Sequence, residues 1–348
     1  MKTLLSIVIG IFIFGIIVIV HEFGHYFTAK LCKVKVTEFA IGMGPVIYKK
    51  KGKETTFSLR LLPLGGFCSM GEDEDSDDPD SFRKKPVPAK MAVILAGAVM
   101  NLILGFIISL VAMLVSGVGV SSRIVCFDEY AVSPNYGLQL EDTIERINGT
   151  KIFTARDITY LLSTDDDGIV DFTVKRNGEK IELKGVQFPM IIDETTGKTT
   201  LKYDFKVQGE RITIKNIVPY SFNNAVYCGR IVLMSIRDLI TGKYGLNDLQ
   251  GPVGIVTTIG SSVTDKGLDW DFLLQLAALI TVNIGIFNLL PIPALDGGRF
   301  VFLVIEAIRR KPMKAETEGM VHFAGLALLM LLMIVVTFND IKNIFIGR

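Results

Sequence analysis

The sequence has little charge, few cysteines and only three histidines. Of 348 residues 21% are charged, and the net charge is +1, so the chain has no overall field that would recruit nucleic acid. Its four cysteines lie far apart without a Cys-x-x-Cys pair, which favours isolated thiols over a disulfide or a cysteine-based metal site. By contrast 49% of the residues are hydrophobic, which is typical of a membrane protein with a sizeable polar part.

Long apolar runs account for much of this composition. Four segments are long and apolar enough to cross about 30 Å of hydrocarbon. They are roughly Leu4–Phe27, Met91–Val118, Phe272–Leu290 and Val321–Phe338. The first could be a signal peptide, but its apolar run is longer than usual and no A-x-A cleavage site follows. We therefore expect a retained transmembrane helix.

Basic residues predict the orientation of these spans. Lysine and arginine are concentrated between the first and second spans and between the third and fourth, and they are sparse beside the long central segment. The positive-inside rule places basic loops in the cytoplasm. Both termini and the central segment are therefore predicted outside the cytoplasm, and the ends of the first and third spans are predicted on its side.

The first basic loop is predicted to contain a β-hairpin. Val46–Tyr48 and Thr56–Leu62 are β-prone and flank a polar, turn-like stretch. Pro63–Gly66 indicates a chain reversal. The acidic run Glu72–Asp80 favours a solvated loop over a cation site.

The central segment, about Ser121 to Asp269, is polar and rich in short predicted strands. The strands are Ile124–Phe127, Thr143–Ile147, Ile169–Lys175 and Lys180–Leu183, with a helix at Asp157–Leu162. Asn148-Gly149 and Asn177-Gly178 indicate tight turns. An amphipathic helix over Phe222–Leu239 and a turn at Gly251–Gly254 follow. We predict domains at residues 1–120, 121–205, 206–270 and 271–348.

The segment His21–His25 reads H-E-F-G-H and lies at the end of the first apolar run. Residues four apart share a helix face, so both imidazoles can reach one metal ion. Glu22 can then take a proton from a metal-bound water. A catalytic zinc site needs a third protein ligand. The remaining histidine, His322, has no companion motif, and we expect it to be structural or interfacial.

Asp296 is the stronger candidate for the third ligand. A carboxylate near membrane depth is costly and indicates function. Pro291 and Pro293 interrupt the helix before it, and Gly297-Gly298 permits close backbone approach. The alternative is that Asp296 only caps the helix that follows. The predicted topology brings Asp296 to the same half of the membrane as the two histidines.

Two motifs together resemble the site-2 protease family of intramembrane zinc metalloproteases. They are H-E-F-G-H at 21–25 and N-x-x-P-x-P-x-L-D-G-G at 288–298. Shorter matches lie at 39–45, 60–66 and 251–254, so the resemblance covers nearly the whole chain. It is similar to the bacterial PDZ-containing branch, the regulator-of-sigma-E protease group.

The resemblance implies a role for each matching residue. Zn2+ would be held by His21, His25 and Asp296, and Glu22 would be the catalytic acid and base. Asn283 and Asn288 would hold unwound substrate, and the predicted hairpin would add a substrate strand at its edge.

The central domain would be PDZ-like, through Ser133-Pro134 and residues 142–149, although Glu141 stands where the family usually has glycine. The implied fold is a polytopic α-helical membrane protein with about four transmembrane helices. A membrane-associated β-hairpin would lie on the cytoplasmic side and one PDZ-like domain outside.

The implied function is cleavage of single-span membrane proteins within the lipid bilayer of a bacterial cell membrane. Anti-sigma factors and signal-peptide remnants are substrates of this kind. We expect the PDZ-like domain to restrain substrate access, with recruitment as the rival role. The alternatives are an inactive PDZ scaffold, which would not need Glu22, and a metal transporter, which would be expected to carry ligands in several spans or an inverted repeat.

Overall fold

The computed structural model describes residues 2–71, 78–192, 199–243, 245, 249–265 and 267–346. The chain forms two compact units, one of Met1–Ile108 with Val232–Ile344 and the other of Ser109–Ile231 with Phe345–Arg348. Most of the predicted acidic loop, residues 72–77, lies outside the described residues.

Eight α-helices are present in the described part of the chain. They are α1 (Lys2–Leu31), α2 (Val87–Ser116), α3 (Ala155–Ser163), α4 (Ile217–Ile240), α5 (Pro252–Ser261), α6 (Trp270–Leu289), α7 (Asp296–Arg309) and α8 (Ala315–Ile346). Four of them, α1, α2, α6 and α8, are long and apolar enough to cross a membrane, which confirms the four predicted spans. The predicted amphipathic helix is confirmed as α4.

The turn predicted at Gly251–Gly254 is wrong, because α5 begins there. Gly251 is the N-cap residue and Pro252 is the first helical residue. Proline is favoured at this position, where its missing N–H would have no helical partner. The carboxylate of Asp340 in α8 accepts from the backbone N–H groups of Gly251 at 3.0 Å and Gly254 at 2.7 Å. A distant side chain thus completes the cap, and local sequence does not show it.

The strands in chain order are β1 (Glu38–Lys51), β2 (Thr56–Ser69), β3 (Val118–Phe127), β4 (Thr143–Ile147), β5 (Thr150–Lys151), β6 (Ile169–Arg176), β7 (Glu179–Gln187), β8 (Met190–Ile192), β9 (Thr199–Leu201), β10 (Phe205–Arg211), β11 (Val263–Thr264) and β12 (Gly267–Leu268). The first two belong to the unit that contains the candidate site, and β3 to β10 belong to the other unit.

Strands β1 and β2 each reverse direction near their middle. Residues 38–41 pair in parallel with 56–59 and, on their other side, antiparallel with 69–66. Residues 48–51 pair antiparallel with 59–56, which is the predicted hairpin. The reversals fall where Gly42, Gly44 and Gly65 adopt positive φ of +85°, +83° and +74°. The predicted hairpin is therefore part of a larger sheet, with residues 66–69 along one edge.

Arg60 fixes the bend in β1. Its guanidinium donates to the carbonyl of Gly44 at 3.0 Å and to the carboxylate of Glu38 at 2.8 Å. The Ser58 hydroxyl donates to the same carboxylate at 2.6 Å. The hydrogen bonds from Ser58 and Arg60 hold the pKa of Glu38 below its usual range. The shape of the sheet thus depends on polar contacts that join distant positions.

The second unit contains an antiparallel sheet in the order β10-β3-β4-β6-β7, with β5 beside β4. The strands and the helix predicted here are confirmed. Asn148-Gly149 and Asn177-Gly178 have positive φ at both residues, as two-residue hairpin turns require. Apolar side chains from the sheet and α3 form its core, including Ile124, Ile144, Ile158, Phe172 and Val174.

Candidate metal centre

Helices α1 and α2 approach closely where each has a glycine. A Cβ at Gly24 would lie 2.5 Å from the carbonyl oxygen of Ala96. A Cβ at Gly97 would lie 2.7 Å from His25 Cε1 and 2.8 Å from His21 Cε1. None of these three distances is compatible with a side chain. The two glycines therefore allow α2 to pass directly beside the two imidazoles.

His21, His25 and Asp296 converge on one point. The Asp296 Oδ2 atom lies 3.1 Å from His21 Nε2 and 3.2 Å from His25 Nε2, and the two nitrogens lie 3.2 Å apart. Tetrahedral zinc with bonds near 2.1 Å would separate its ligand atoms by about 3.4 Å. Asp296 Oδ2 is buried and lacks a well-formed hydrogen bond among the described residues. This donor set fits a divalent metal.

The outer ring nitrogens also have partners that suit metal binding. His25 Nδ1 lies 2.9 Å from the carbonyl oxygen of Val93, so it carries the proton and leaves Nε2 unprotonated. His21 Nδ1 lies 3.3 Å from the side-chain amide of Asn101. The oxygen and nitrogen of a side-chain amide have nearly the same shape, so the amide can be turned by 180°. In that orientation its oxygen accepts a hydrogen bond from His21 Nδ1–H. Both Nε2 atoms then carry no proton, and each can offer its lone pair to a cation.

Asp296 is positioned by the first residues of α7. A Cβ at Gly297 would lie 2.6 Å from the Leu289 carbonyl oxygen, and one at Gly298 would lie 2.9 Å from the Ile292 carbonyl carbon. The predicted close backbone approach is therefore confirmed. Leu295, and not Asp296, is the N-cap residue of α7, and it has no side-chain cap bond. The alternative that Asp296 only caps this helix is not supported.

A cavity of about 660 Å³ opens onto the three residues. It is lined by Glu22, by Gly66 to Met70 at the end of β2, by Arg299 on α7 and by His322, Phe323 and Leu326 on α8. A Cβ at Gly66 would lie 3.1 Å from Glu22 Cγ, so the edge segment 66–69 passes beside Glu22. The cavity therefore brings an acid, a cation site and a strand edge together.

Asn283 and Asn288 are not among the described residues that line this cavity. The side-chain amide of Asn288 donates to the carbonyl oxygen of Ile284 in its own helix at 3.0 Å. Their substrate-binding role stays a prediction.

Sequence reasoning missed several residues of the site. The small and polar positions Gly97 and Asn101 in the second span indicate helix contacts, but not a contact with the histidines. Gly97 and Asn101 are four residues apart and so lie on one face of α2. This spacing is the one feature of the sequence that could have indicated a shared contact. His322 is confirmed as a residue with a structural contact, because its Nδ1 accepts from the backbone N–H of Ala294 at 2.9 Å.

Four apolar helices, with two histidines, an aspartate and an adjacent glutamate at one cavity, define a membrane metallopeptidase. The chain belongs to peptidase family M50, whose model matches residues 9–332. This family comprises the site-2 proteases, so the resemblance in the sequence is confirmed and the chain is a zinc metalloprotease.

Relatives match over almost their entire length. The regulator of sigma-W protease RasP of Bacillus subtilis is 31% identical, over 98% of this chain and 99% of its own. The zinc metalloprotease RasP of Shouchella clausii is 30% identical, over 99% and 100%. A Clostridium acetobutylicum protein, named as a candidate zinc metalloprotease, is 36% identical over 97% of each chain.

Proposed function

We propose that this protein is an intramembrane endopeptidase that cleaves transmembrane segments of single-span membrane proteins. His21, His25 and Asp296 are its zinc ligands and Glu22 is its catalytic acid and base. The observation that carries the proposal is the convergence of three ligand atoms within 3.2 Å of one another at the cavity that Glu22 lines. The two histidines lie on α1, which can cross a membrane, and Asp296 begins the short helix α7 that follows α6, another such helix. A transporter or scaffold reading leaves the adjacent glutamate without a role.

The chemistry divides between the metal and the chain. Zinc held by His21, His25 and Asp296 would lower the pKa of a water molecule and polarise the carbonyl of the scissile peptide bond. Glu22 takes the proton from the attacking water and delivers it to the departing amine. His25 and His21 are held in the required tautomer by Val93 and Asn101, so the ligand nitrogens do not have to reorient during the reaction.

Substrate has to be unwound before its peptide bonds can react, because a helix hides them in its own hydrogen bonds. The sheet edge at residues 66–69 can pair with the freed backbone by strand addition. Its pairing on one side with 41–38 and its place in the cavity support this role. Asn283 and Asn288 are proposed to bind the unwound chain farther from the reacting bond.

The site lies at the cytoplasmic side of the cell membrane in this proposal. His21 lies in the C-terminal half of α1, and Asp296 follows the end of α6. The basic loops lie next to these two ends in sequence. Anti-sigma factors and signal-peptide remnants are proposed substrates, and the name of the Bacillus subtilis relative links that protein to sigma-W. The β-rich unit is proposed to be PDZ-like, outside the cytoplasm, and to restrain access.

Glu22→Gln tests the mechanism directly. The amide is nearly isosteric and Glu22 is not one of the three converging residues, so zinc content should remain at the wild-type level. Cleavage of a single-span test substrate in reconstituted vesicles should fall below detection, because proton transfer is lost. Glu54→Gln, an exposed acid on the loop between β1 and β2, is the matched control and should cleave normally. Cleavage by Glu22→Gln at near the wild-type rate would contradict the assignment.

A further inference from the structure

Helix α8 contacts the loop that leads into Asp296. Ala294 N–H donates to His322 Nδ1 at 2.9 Å, and Asp296 follows two residues later. The imidazole also meets the ring of Phe302 on α7 edge-to-face, with centroids 5.4 Å apart. His322 therefore joins α8 to both the loop and the helix that presents the aspartate.

The loop is strained at the residue that His322 holds. Ala294 has φ +80°, a conformation that favours glycine. The neighbouring turn bonds run from Ile292 N–H to the Leu290 carbonyl and from Leu295 N–H to the Ile292 carbonyl. Strain of this kind persists only where surrounding contacts impose it. The imidazole provides such a contact at Ala294 itself.

Gly325 adds a second contact from the same face of α8. A Cβ there would lie 2.5 Å from both the Cβ and the carbonyl oxygen of Pro293. His322 and Gly325 are three residues apart and so lie on one helix face. This face of α8 packs directly on Pro293 and Ala294.

We propose that His322 is a positioning residue for the metal ligand Asp296. By accepting the Ala294 N–H, it holds residues 293 and 294 in the strained conformation that directs Asp296 towards His21 and His25. The inference rests on the proposed zinc site. It assigns a function to the third histidine that does not involve binding the metal.

Chelator competition on the purified protein measures the effect as zinc affinity, independent of cleavage. His322→Ala should weaken zinc binding about tenfold, because Asp296 would be held less firmly. This is the low end of the roughly ten- to hundredfold loss that follows removal of a direct partner of a metal ligand, since His322 acts through Ala294. In His322→Asn the side-chain oxygen occupies the place of Nδ1, so affinity should stay near wild type. In His322→Gln the amide reaches instead towards the place of Nε2, and affinity should fall as in His322→Ala. Leu328→Ala, an exposed position on α8, controls for general damage to the helix.

Relief of the strain supplies an independent check. Glycine adopts the conformation of Ala294 without steric cost. Adding Ala294→Gly to the His322→Ala variant should therefore restore much of the zinc affinity that His322→Ala loses. Unchanged affinity in His322→Ala, or equal losses in the Asn and Gln variants, would overturn the positioning role. The proposed zinc site is tested separately by Asp296→Ala. If wild type binds zinc and Asp296→Ala does not, the proposed function stands even when the positioning role of His322 fails. Zinc bound equally by Asp296→Ala would overturn both.

Discussion

The unit of residues 109–231 has one continuous apolar interior, whereas the unit with the candidate metal centre combines two smaller apolar clusters with close glycine contacts and a few buried polar groups. Ile124, Ile144, Phe172 and Val174 are almost completely buried in the first. In the second, Lys90 donates to Glu306 at 2.5 Å, where both side chains are largely shielded. The two units should therefore be destabilised by different kinds of substitution.

This difference follows from the surroundings that each unit is built for. Burial of apolar surface drives folding in water, and the β-rich unit uses it. Lipid chains are as apolar as leucine, so helices that cross a membrane associate through close packing and hydrogen bonds instead. Gly24 and Gly97 provide the close packing, and the cap of α5 by Asp340 provides hydrogen bonds. Substitutions that harm one unit should therefore spare the other.

Phe172→Ala should break the β-rich unit alone. The ring is 2% exposed, and its removal should cost about 3–5 kcal/mol of unfolding free energy through lost burial and a new cavity. Zinc content should not change, because none of the converging residues lies in this unit. Thermal unfolding and elemental analysis of one preparation measure both effects. The matched control is Ile169→Ala, a half-exposed position on the same strand, which should have nearly the wild-type free energy of unfolding. Loss of zinc from Phe172→Ala would show that the two units are not independent.

Gly97→Ala should break the metal centre alone. The added Cβ would meet both imidazoles at under 3 Å, so a ligand or α2 has to move. A displacement near 1 Å at a reacting site costs roughly a hundredfold in rate, and we expect kcat/KM to fall by about that factor. Gly15→Ala in α1 is the matched control, because its Cβ would meet nothing within 4 Å. Full activity in Gly97→Ala would show that the close contact is dispensable.

The sequence predicts the three converging residues because their motifs are local. The spacing of His21 and His25 follows from the helix period, and Asp296 follows from a carboxylate beside helix-breaking prolines. Contacts between residues far apart in the sequence cannot be predicted from local motifs in this way. The bends of β1 and β2, the α5 cap from Asp340 and the contact of Asn101 with His21 each join residues at least 16 positions apart. No local pattern specifies them.

Asn101→Ala should weaken the metal centre more gently than Gly97→Ala. The amide is fully buried and is the side-chain partner of His21 Nδ1. Its loss leaves that imidazole less well oriented, and we expect zinc affinity to fall about tenfold without loss of the fold. Chelator competition gives the affinity. Ile103→Ala, on an exposed face of α2, should bind zinc as wild type. Equal affinities for all three proteins would remove Asn101 from the site.

Glu141→Gly should strengthen the β-rich unit slightly. Glu141 has φ +72°, in the place where the family usually has glycine, and its side chain forms an ion pair with Arg123. Both side chains are largely exposed, so losing the pair costs little. Glycine removes the backbone strain, and we expect a gain of about 0.5–1 kcal/mol in unfolding free energy. Calorimetry of the full chain would show the transition of this unit move upward while zinc affinity stays constant. A downward shift would mean that the ion pair with Arg123 outweighs the strain.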